Sequence, residues 1–481
     1  MVHVLAVPFQ AEGHVNGLLR LARALAAMGV SVTFVYPARF YALASKRSQL
    51  DRDGDALLQF EAVEDGLPVE EEHVLTAPLL HASIPFFMKS VKHLLDRLLA
   101  EEDSSTSSHL PPLSCVISDC VVPWTKELAD AAGLPRIPFW TSSAASYAMG
   151  AHLPLLISRG WVPVQNSLLV QGKMWKGDAS LVDCIPGLPP FPITDLPSQF
   201  VEAADLSNPS LQFLAAAYEH AREAPSILIH SVYELESQVF DALKAHGFAV
   251  CPVGPLFFPP NSMRSHRHAQ ETLQWLDKKP TSSVVYVALG TATQLSPAGL
   301  LSLALGLEAS GHPFLWVIRT DNMHGSLSNT LPEGFLDRTS ARGLIVPWVP
   351  QAEVLRHGSV GAFFSHCGWN STLESMFEGV PMVVCPQAME QRSNARWIVE
   401  HWRMGVELER EVDGSFSKDA VERALHEVMH KTYKKGAVQV KEVTRRAVQE
   451  EGTSGSNLIC LKQQLTKFHA RKNLENVRET S

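Results

Sequence analysis

Apolar runs short enough to be strands alternate with amphipathic runs long enough to be helices along most of this chain, and that alternation admits few architectures. Residues 4–9 form a strand-like run. Residues 18–28 place Leu18, Leu21, Ala22, Leu25 and Met28 on one helical face, Gly29 supplies a stop, and residues 30–36 form a second strand-like run. This is a βαβ unit. The pattern recurs with strands expected at 115–118, 136–139 and 227–230, and helices near 89–99, 123–132 and 212–224. A doubly wound, mostly parallel α/β sheet is predicted.

A second series of the same kind follows, with strands expected at 284–289, 314–318, 344–346, 360–365 and 382–385. Helices are expected to start near Pro297, Gln351, Asn370 and Glu390. Between the two series, residues 251–260 are rich in proline and show neither period, so a linker over 251–262 is predicted. A chain of 481 residues, 46% of them hydrophobic, is long enough for two domains with separate cores. The expected division is 1–250 and 263–453.

A net charge of −9 with no clustered basic face excludes nucleic acid as the expected partner; the Lys and Arg of 431–446 alternate with Glu and apolar residues, as on a solvated helix. Seven scattered cysteines with no CxxC pair fit a reducing compartment and show no metal-ligand pattern. No apolar run reaches the roughly 18 residues of a membrane-spanning helix, and the N-terminus has no signal-peptide layout. A cytoplasmic, monomeric protein is the expectation.

The densest chemistry lies in residues 348–391. Residues 360–365 read as a buried strand and 370–377 as a helix closed by Gly379 ahead of Pro381. His366, Gly368, Asn370 and Ser371 therefore fall at a helix N-terminus, where unpaired N–H groups and the dipole attract an anion. Gly368 allows close backbone approach, Ser371 offers a hydroxyl and His366 a ring N–H, so a diphosphate fits. Trp348 adds an aromatic face for a base, Gln351 an amide for a ribose, and Glu374 an acceptor for a ribose diol.

Ligands of open α/β sheets lie beyond the carboxyl ends of the strands. His14, Asp119, Thr141, Thr291, His366, Glu390 and Gln391 all follow expected strands; His3 does not. An imidazole, with a reference pKa of about 6.5, suits removal of a proton from an attacking hydroxyl near neutral pH. His14 is the candidate base. A carboxylate on its other ring nitrogen would fix the tautomer and stabilise the imidazolium, as in a hydrolase triad.

Segment 348–391 resembles, position by position, the plant secondary-product glycosyltransferase box of the UDP-dependent glycosyltransferases. Residues 8–14 (PFQAEGH) and 116–119 (VISD) are similar to that family's own motifs, and the likeness covers nearly the whole chain. It implies the GT-B organisation: two facing Rossmann-like domains with a cleft between them, acceptor in the first and UDP-sugar in the second. Residues 452–458 resemble the family's return crossing, which assigns a final helix within 454–472, regular over 457–469, to the first domain. Asp119 stands where the family places the partner of the base.

For the donor, the resemblance implies that Trp348 stacks on uracil while the Val349 backbone pairs with its edge. Gln351 and Glu374 would hold the ribose, and Thr291, His366, Asn370 and Ser371 the diphosphate. Trp369, Glu390, Gln391 and Thr141 would contact the sugar. No basic residue occupies the Trp369 position, as a uronate donor would want, and Gln391 favours glucose over galactose. UDP-glucose, with no metal or resident cofactor, is the expected donor, and displacement by a deprotonated acceptor gives a β-glucoside.

Three positions depart from the family pattern: Glu390 replaces the usual Asp, Leu289-Gly290-Thr291 the usual Phe-Gly-Ser, and Glu12 an uncharged residue beside the base. Acceptor contacts are expected from Glu12, Phe86, Phe87, Tyr147, Phe191 and Phe200, with phenols such as flavonoids as the family-based substrates. The competing readings are the same fold with another UDP-sugar, a non-catalytic nucleotide-binding protein, and a nicotinamide-dependent oxidoreductase. The last lacks a GxGxxG after any expected strand.

Overall fold

A computed structural model of the chain describes residues 1–46, 56–68, 77–103, 110–164, 169–170, 173–174, 181–257, 267–290, 295–318, 331–411 and 413–479. They divide into two compact units, Met1–Ala151 with Pro209–Ser262 and Arg446–Ser481, and His152–Asn208 with Met263–Arg445. Residues 152–208, inside the expected first domain, thus group with the second unit, where Ser198 and Met389 exchange hydrogen bonds and Asp195 pairs with Arg396.

The first unit holds a sheet of seven strands: β1 His3–Val7, β2 Ser31–Pro37, β3 Leu58–Val63, β4 Leu113–Asp119, β5 Arg136–Trp140, β6 Ile227–Ile229 and β7 Val250–Pro252. Every pair is parallel, in the order β7-β6-β5-β4-β1-β2-β3. Both faces are covered. Val4 and Ala6 point into one core with Val32, Phe34 and the helix face of Leu18, Leu21 and Leu25, while Leu5 and Val7 point into another with Phe87, Val91, Leu94 and Leu98. The order reverses between β1 and β4, which opens a crevice at their carboxyl ends.

Local structure departs from the sequence reading at three places. The first helix spans Glu12–Ala27, six residues earlier than expected, with no side-chain cap at Ala11. A missing cap costs about 1 kcal/mol, whereas each fully buried leucine returns about 1.5–3 kcal/mol, so burial decides. His14 consequently sits in the helix's first turn. The helix expected over 89–99 runs through Pro85 as Ala77–Asp103, because the apolar face from Phe87 to Leu98 offsets the roughly 3 kcal/mol of an internal proline. Cys251 and Pro252, read as linker, form the edge strand β7, a position where a missing N–H is tolerated.

The final helix, Thr453–Glu479, packs in the first unit: Leu461 and Leu465 enter its core, and Asn457 Nδ2 donates to the Pro252 carbonyl at 2.7 Å. The second unit holds six parallel strands, β8 Val284–Ala288, β9 Phe314–Val317, β10 Gly343–Val346, β11 Val360–Ser365, β12 Met382–Val384 and β13 Gly405–Glu407. Their order is β10-β9-β8-β11-β12-β13, reversing between β8 and β11. Each reversal thus lies beside one group of candidate residues. No described helix is long and apolar enough to cross a membrane.

Candidate active site

At the first crevice, His14 Nδ1 lies 2.7 Å from Asp119 Oδ2 and 3.2 Å from Thr141 Oγ1. Asp119 closes β4 with its side chain 0% exposed, while the His14 side chain is 30% exposed. The imidazole therefore faces outward and the carboxylate lies behind it. Burying a carboxylate is costly unless its oxygens are satisfied, and here the second oxygen accepts from Val121 N at 3.0 Å. Arg136 adds a buried guanidinium, donating to the Asp119 carbonyl at 3.2 Å and to Ser118 Oγ at 2.7 Å. The carboxylate engages Nδ1, which fixes the tautomer and orientation of the ring.

Thr141, expected as a sugar contact, thus has its hydroxyl against the imidazole. The turn that carries it is held by Glu236, which no sequence pattern singled out. Its carboxylate accepts from Ala144 N at 2.9 Å, from Ala145 N at 2.8 Å and from the Ser231 hydroxyl. Those amides open the helix Ala144–Ala151, so the negative charge meets the positive end of the dipole, although burial pushes the carboxyl pKa up.

The expected acceptor contacts separate by burial. Phe86 is 63% exposed and lies over Gly66, while Phe87 is inside the core, its ring 5.9 Å edge-on from Trp124. Tyr147 is enclosed by Trp140 and Tyr218, and Phe191 and Phe200 are buried in the second unit. Glu12 is in the first turn of its helix, where an acidic side chain complements the dipole. Missed by the sequence reading were Phe9, whose ring stands 5.2 Å edge-on from His14, and Phe213, 6.1 Å from Phe9.

The second crevice carries the box residues. Cys367 takes φ 66°, Asn394 Nδ2 donates to its carbonyl at 3.0 Å, and the helix Trp369–Glu378 begins from Gly368. A side chain rarely adopts that φ, so the turn between strand and helix is held by its surroundings. His366 is enclosed between two glycines: a Cβ on Gly290 would lie 2.6 Å from its Nε2 and one on Gly368 2.4 Å. Its Nδ1 is buried with no hydrogen-bond partner among the described residues. Desolvation lowers this imidazole to about 4, with the Ala288 carbonyl pulling the other way, so at neutral pH it is uncharged. Thr291 lies outside the described residues.

Gln351 is a hub. It donates to Ser371 Oγ at 2.9 Å and to Glu374 Oε2 at 2.8 Å, and its Oε1 accepts from the hydroxyl of Tyr286 at 3.1 Å. Tyr286, another residue without a local signal, is buried and stacked on Phe363 at 4.9 Å. Glu374 is buried, Trp348, Asn370 and Ser371 are half-buried, and Val349 is buried next to Trp348. Trp369 is buried beside Trp402, their rings 6.2 Å apart. Glu390 stands at the N-cap position of the helix Gln391–Arg396 without a side-chain capping bond, and Gln391 Oε1 accepts from Gln387 N at 2.8 Å and Ala388 N at 3.1 Å. With its carbonyl committed to the loop, Gln391 presents its amide N–H groups as donors.

An imidazole–carboxylate pair in one Rossmann-like unit, and in the other a helix start beside an aromatic and a carboxylate, fit a nucleotide-sugar transferase. The comparisons agree. Residues 260–447 match the family described as UDP-glucoronosyl and UDP-glucosyl transferase, and residues 1–86 match the glycosyltransferase N-terminal domain. The 7-deoxyloganetin glucosyltransferase of Gardenia jasminoides is 35% identical, covering 95% of this chain and 96% of that one. Linamarin synthase 1 of Manihot esculenta is 34% identical over 95% of both. The structure of Phytolacca americana UGT2 complexed with UDP-2fluoro-glucose and pterostilbene matches with TM-score 0.79 and 27% identity, over 97% of this chain and 100% of that one. The chain belongs to the plant UDP-glycosyltransferases, enzymes of the GT-B fold class.

Proposed function

We propose that the protein is an inverting glucosyltransferase that moves glucose from UDP-glucose to a hydroxyl of a small lipophilic acceptor, a phenol such as a flavonoid on the family reading. The observation that carries this is the 2.7 Å pair of His14 and Asp119 at the reversal point of the first sheet. In the reaction, His14 Nε2 takes the acceptor's proton while its oxygen attacks the anomeric carbon opposite the UDP, and the bond to UDP breaks. Asp119 stabilises the imidazolium. The negative charge on the departing diphosphate falls on the helix start at Trp369–Glu378, on Ser371 and on His366. One displacement inverts the centre, so the product is a β-glucoside.

Trp348 and the Val349 backbone would take the uracil, Gln351 and Glu374 the ribose, Asn370 and Thr291 the phosphates, and Trp369, Glu390, Gln391 and Thr141 the glucose. A monomer in the cytoplasm fits this role. Products should be read by mass with UDP-glucose, UDP-galactose and UDP-glucuronate, each offered flavonoids, 7-deoxyloganetin and simple alcohols. UDP-glucose is expected to win; preferential use of UDP-glucuronate overturns the sugar assignment. The wide acceptor panel is needed because the relatives are named for 7-deoxyloganetin and linamarin rather than for flavonoids.

Tyr286 offers a test of the ribose assignment. The Tyr286→Phe change removes one neutral hydrogen bond to Gln351, worth about 1 kcal/mol, so KM for UDP-glucose should rise roughly fivefold with kcat unchanged. The variant should also discriminate less between UDP-glucose and its 2′-deoxyribose analogue. Unaltered discrimination would separate Tyr286 from the ribose.

A further inference from the structure

We infer that Asp195 and Ser198 are positioning residues for the donor sugar: they pin, at both ends, the short helix whose start carries Glu390 and Gln391, and so set how selectively the enzyme takes its sugar. Their role rests on the reading of Glu390 and Gln391 as glucose contacts, and goes beyond it by naming what holds those two in place.

The pinning lies within the second unit, between segments 191 and 201 residues apart in sequence. At the start of the helix Gln391–Arg396, Ser198 Oγ accepts from Met389 N at 3.1 Å, and Ser198 N donates to the Met389 carbonyl at 3.1 Å. At its end, the Arg396 guanidinium donates to the buried carboxylate of Asp195 and, at 2.6 Å, to Glu400. Glu390 and Gln391 follow Met389 directly, so both stand between the two anchors. The anchors are themselves rigidly spaced. Short helical turns at Ile193–Asp195 and Ser198–Val201 are separated only by Leu196 and Pro197, both buried.

The donor turn needs this hold from outside. Met389 has φ 57°, a left-handed backbone that a residue with a Cβ keeps only where its surroundings impose it. Its side chain is 44% exposed, so its own packing contributes little of that constraint. Gln391 ties the turn to itself through Gln387 N and Ala388 N, which fixes its shape; Ser198 and Asp195 fix where that shape stands. In mid-helix, Asn394 Nδ2 is bonded to the Cys367 carbonyl, a pivot about which the helix would swing if its ends were free. Glucose and galactose differ in the direction of one hydroxyl, so telling them apart depends on partners held within hydrogen-bond tolerance.

The test titrates the full-length protein calorimetrically with UDP-glucose, UDP-galactose and UDP, without acceptor, in Asp195→Asn, Ser198→Ala, Gln391→Ala and the conservative Asp195→Glu. Asp195→Asn should weaken UDP-glucose binding roughly tenfold and Ser198→Ala roughly fivefold, with UDP within about twofold of wild type. In both, the preference for UDP-glucose over UDP-galactose should shrink, and Asp195→Glu should restore most of it. A loss that falls equally on UDP and both sugar nucleotides, as a merely loosened fold would give, overturns the positioning role. Unchanged UDP-glucose binding in either variant removes that residue from it. Should Asp195→Asn fail to fold, Ser198→Ala decides alone. If Gln391→Ala binds UDP-glucose as well as wild type, the sugar assignment fails and the positioning roles fall with it. A loss in Gln391→Ala with none in Asp195→Asn or Ser198→Ala sinks the positioning roles only.

Discussion

Replacing His14 with alanine is expected to cut kcat by about 10³, within the range of a lost general base, while the Kd for UDP stays at the wild-type value. The two quantities separate because His14 lies in the first unit and the residues assigned to the nucleotide lie in the second. Asp119→Asn should be comparably severe. An amide in that place can donate to Nδ1, which favours the wrong tautomer and leaves the imidazolium without its counter-charge, although the space filled is the same. The double variant should be little worse than either single one, since a base and its partner act as a unit. Steady-state rates with saturating UDP-glucose, beside calorimetric UDP binding, decide the matter. If His14→Ala keeps more than a tenth of the wild-type rate, the base is elsewhere.

Much of this dyad was legible before any coordinates. Apolar runs locate strands, the carboxyl end of each follows, and residues beyond the ends of β1 and β4 become candidates by topology alone. Legibility fails where partners are far apart in sequence. Glu236 reaches the amides of Ala144 and Ala145, and Tyr286 reaches Gln351; no local period records such pairs. Residue type decides less. Phe87, Tyr147 and Phe200 are aromatic, as a pocket lining would be, but a buried ring and a lining ring look alike in one sequence, and these three fill cores. Phe9 fell inside the 8–14 motif without being given a role, and Phe213 carried no pattern of its own. Proline also read more strongly than it acts: Pro85 sits inside a helix because neighbouring burial outweighs a lost N–H, and Pro252 ends an edge strand, where a missing N–H is tolerated.

Gly368→Ala should weaken UDP and UDP-glucose binding by roughly 10- to 150-fold while the fold persists. The backbone tolerates the change, since Gly368 has φ −58° and ψ 142°, ordinary values for any residue. What the new methyl meets is His366, whose Nε2 lies 2.4 Å from the added Cβ. The ring must turn, and the space it now fills is the space that the missing Cβ of Gly290 would take, 2.6 Å from the same nitrogen. An imidazole swung off its line loses a hydrogen bond to a charged phosphate, worth about 1.5–3 kcal/mol, which is the stated loss in affinity. Alanine is also a poorer helix N-cap than glycine, but that cost of about 1 kcal/mol falls on folding and shows as a small drop in Tm. A hundredfold loss of UDP therefore cannot come from stability alone. Removing the ring removes the clash, so the Gly368→Ala, His366→Ala double variant should bind UDP no worse than His366→Ala by itself. Additive losses in that cycle would mean that the methyl obstructs the phosphates directly and that His366 is not the group it displaces.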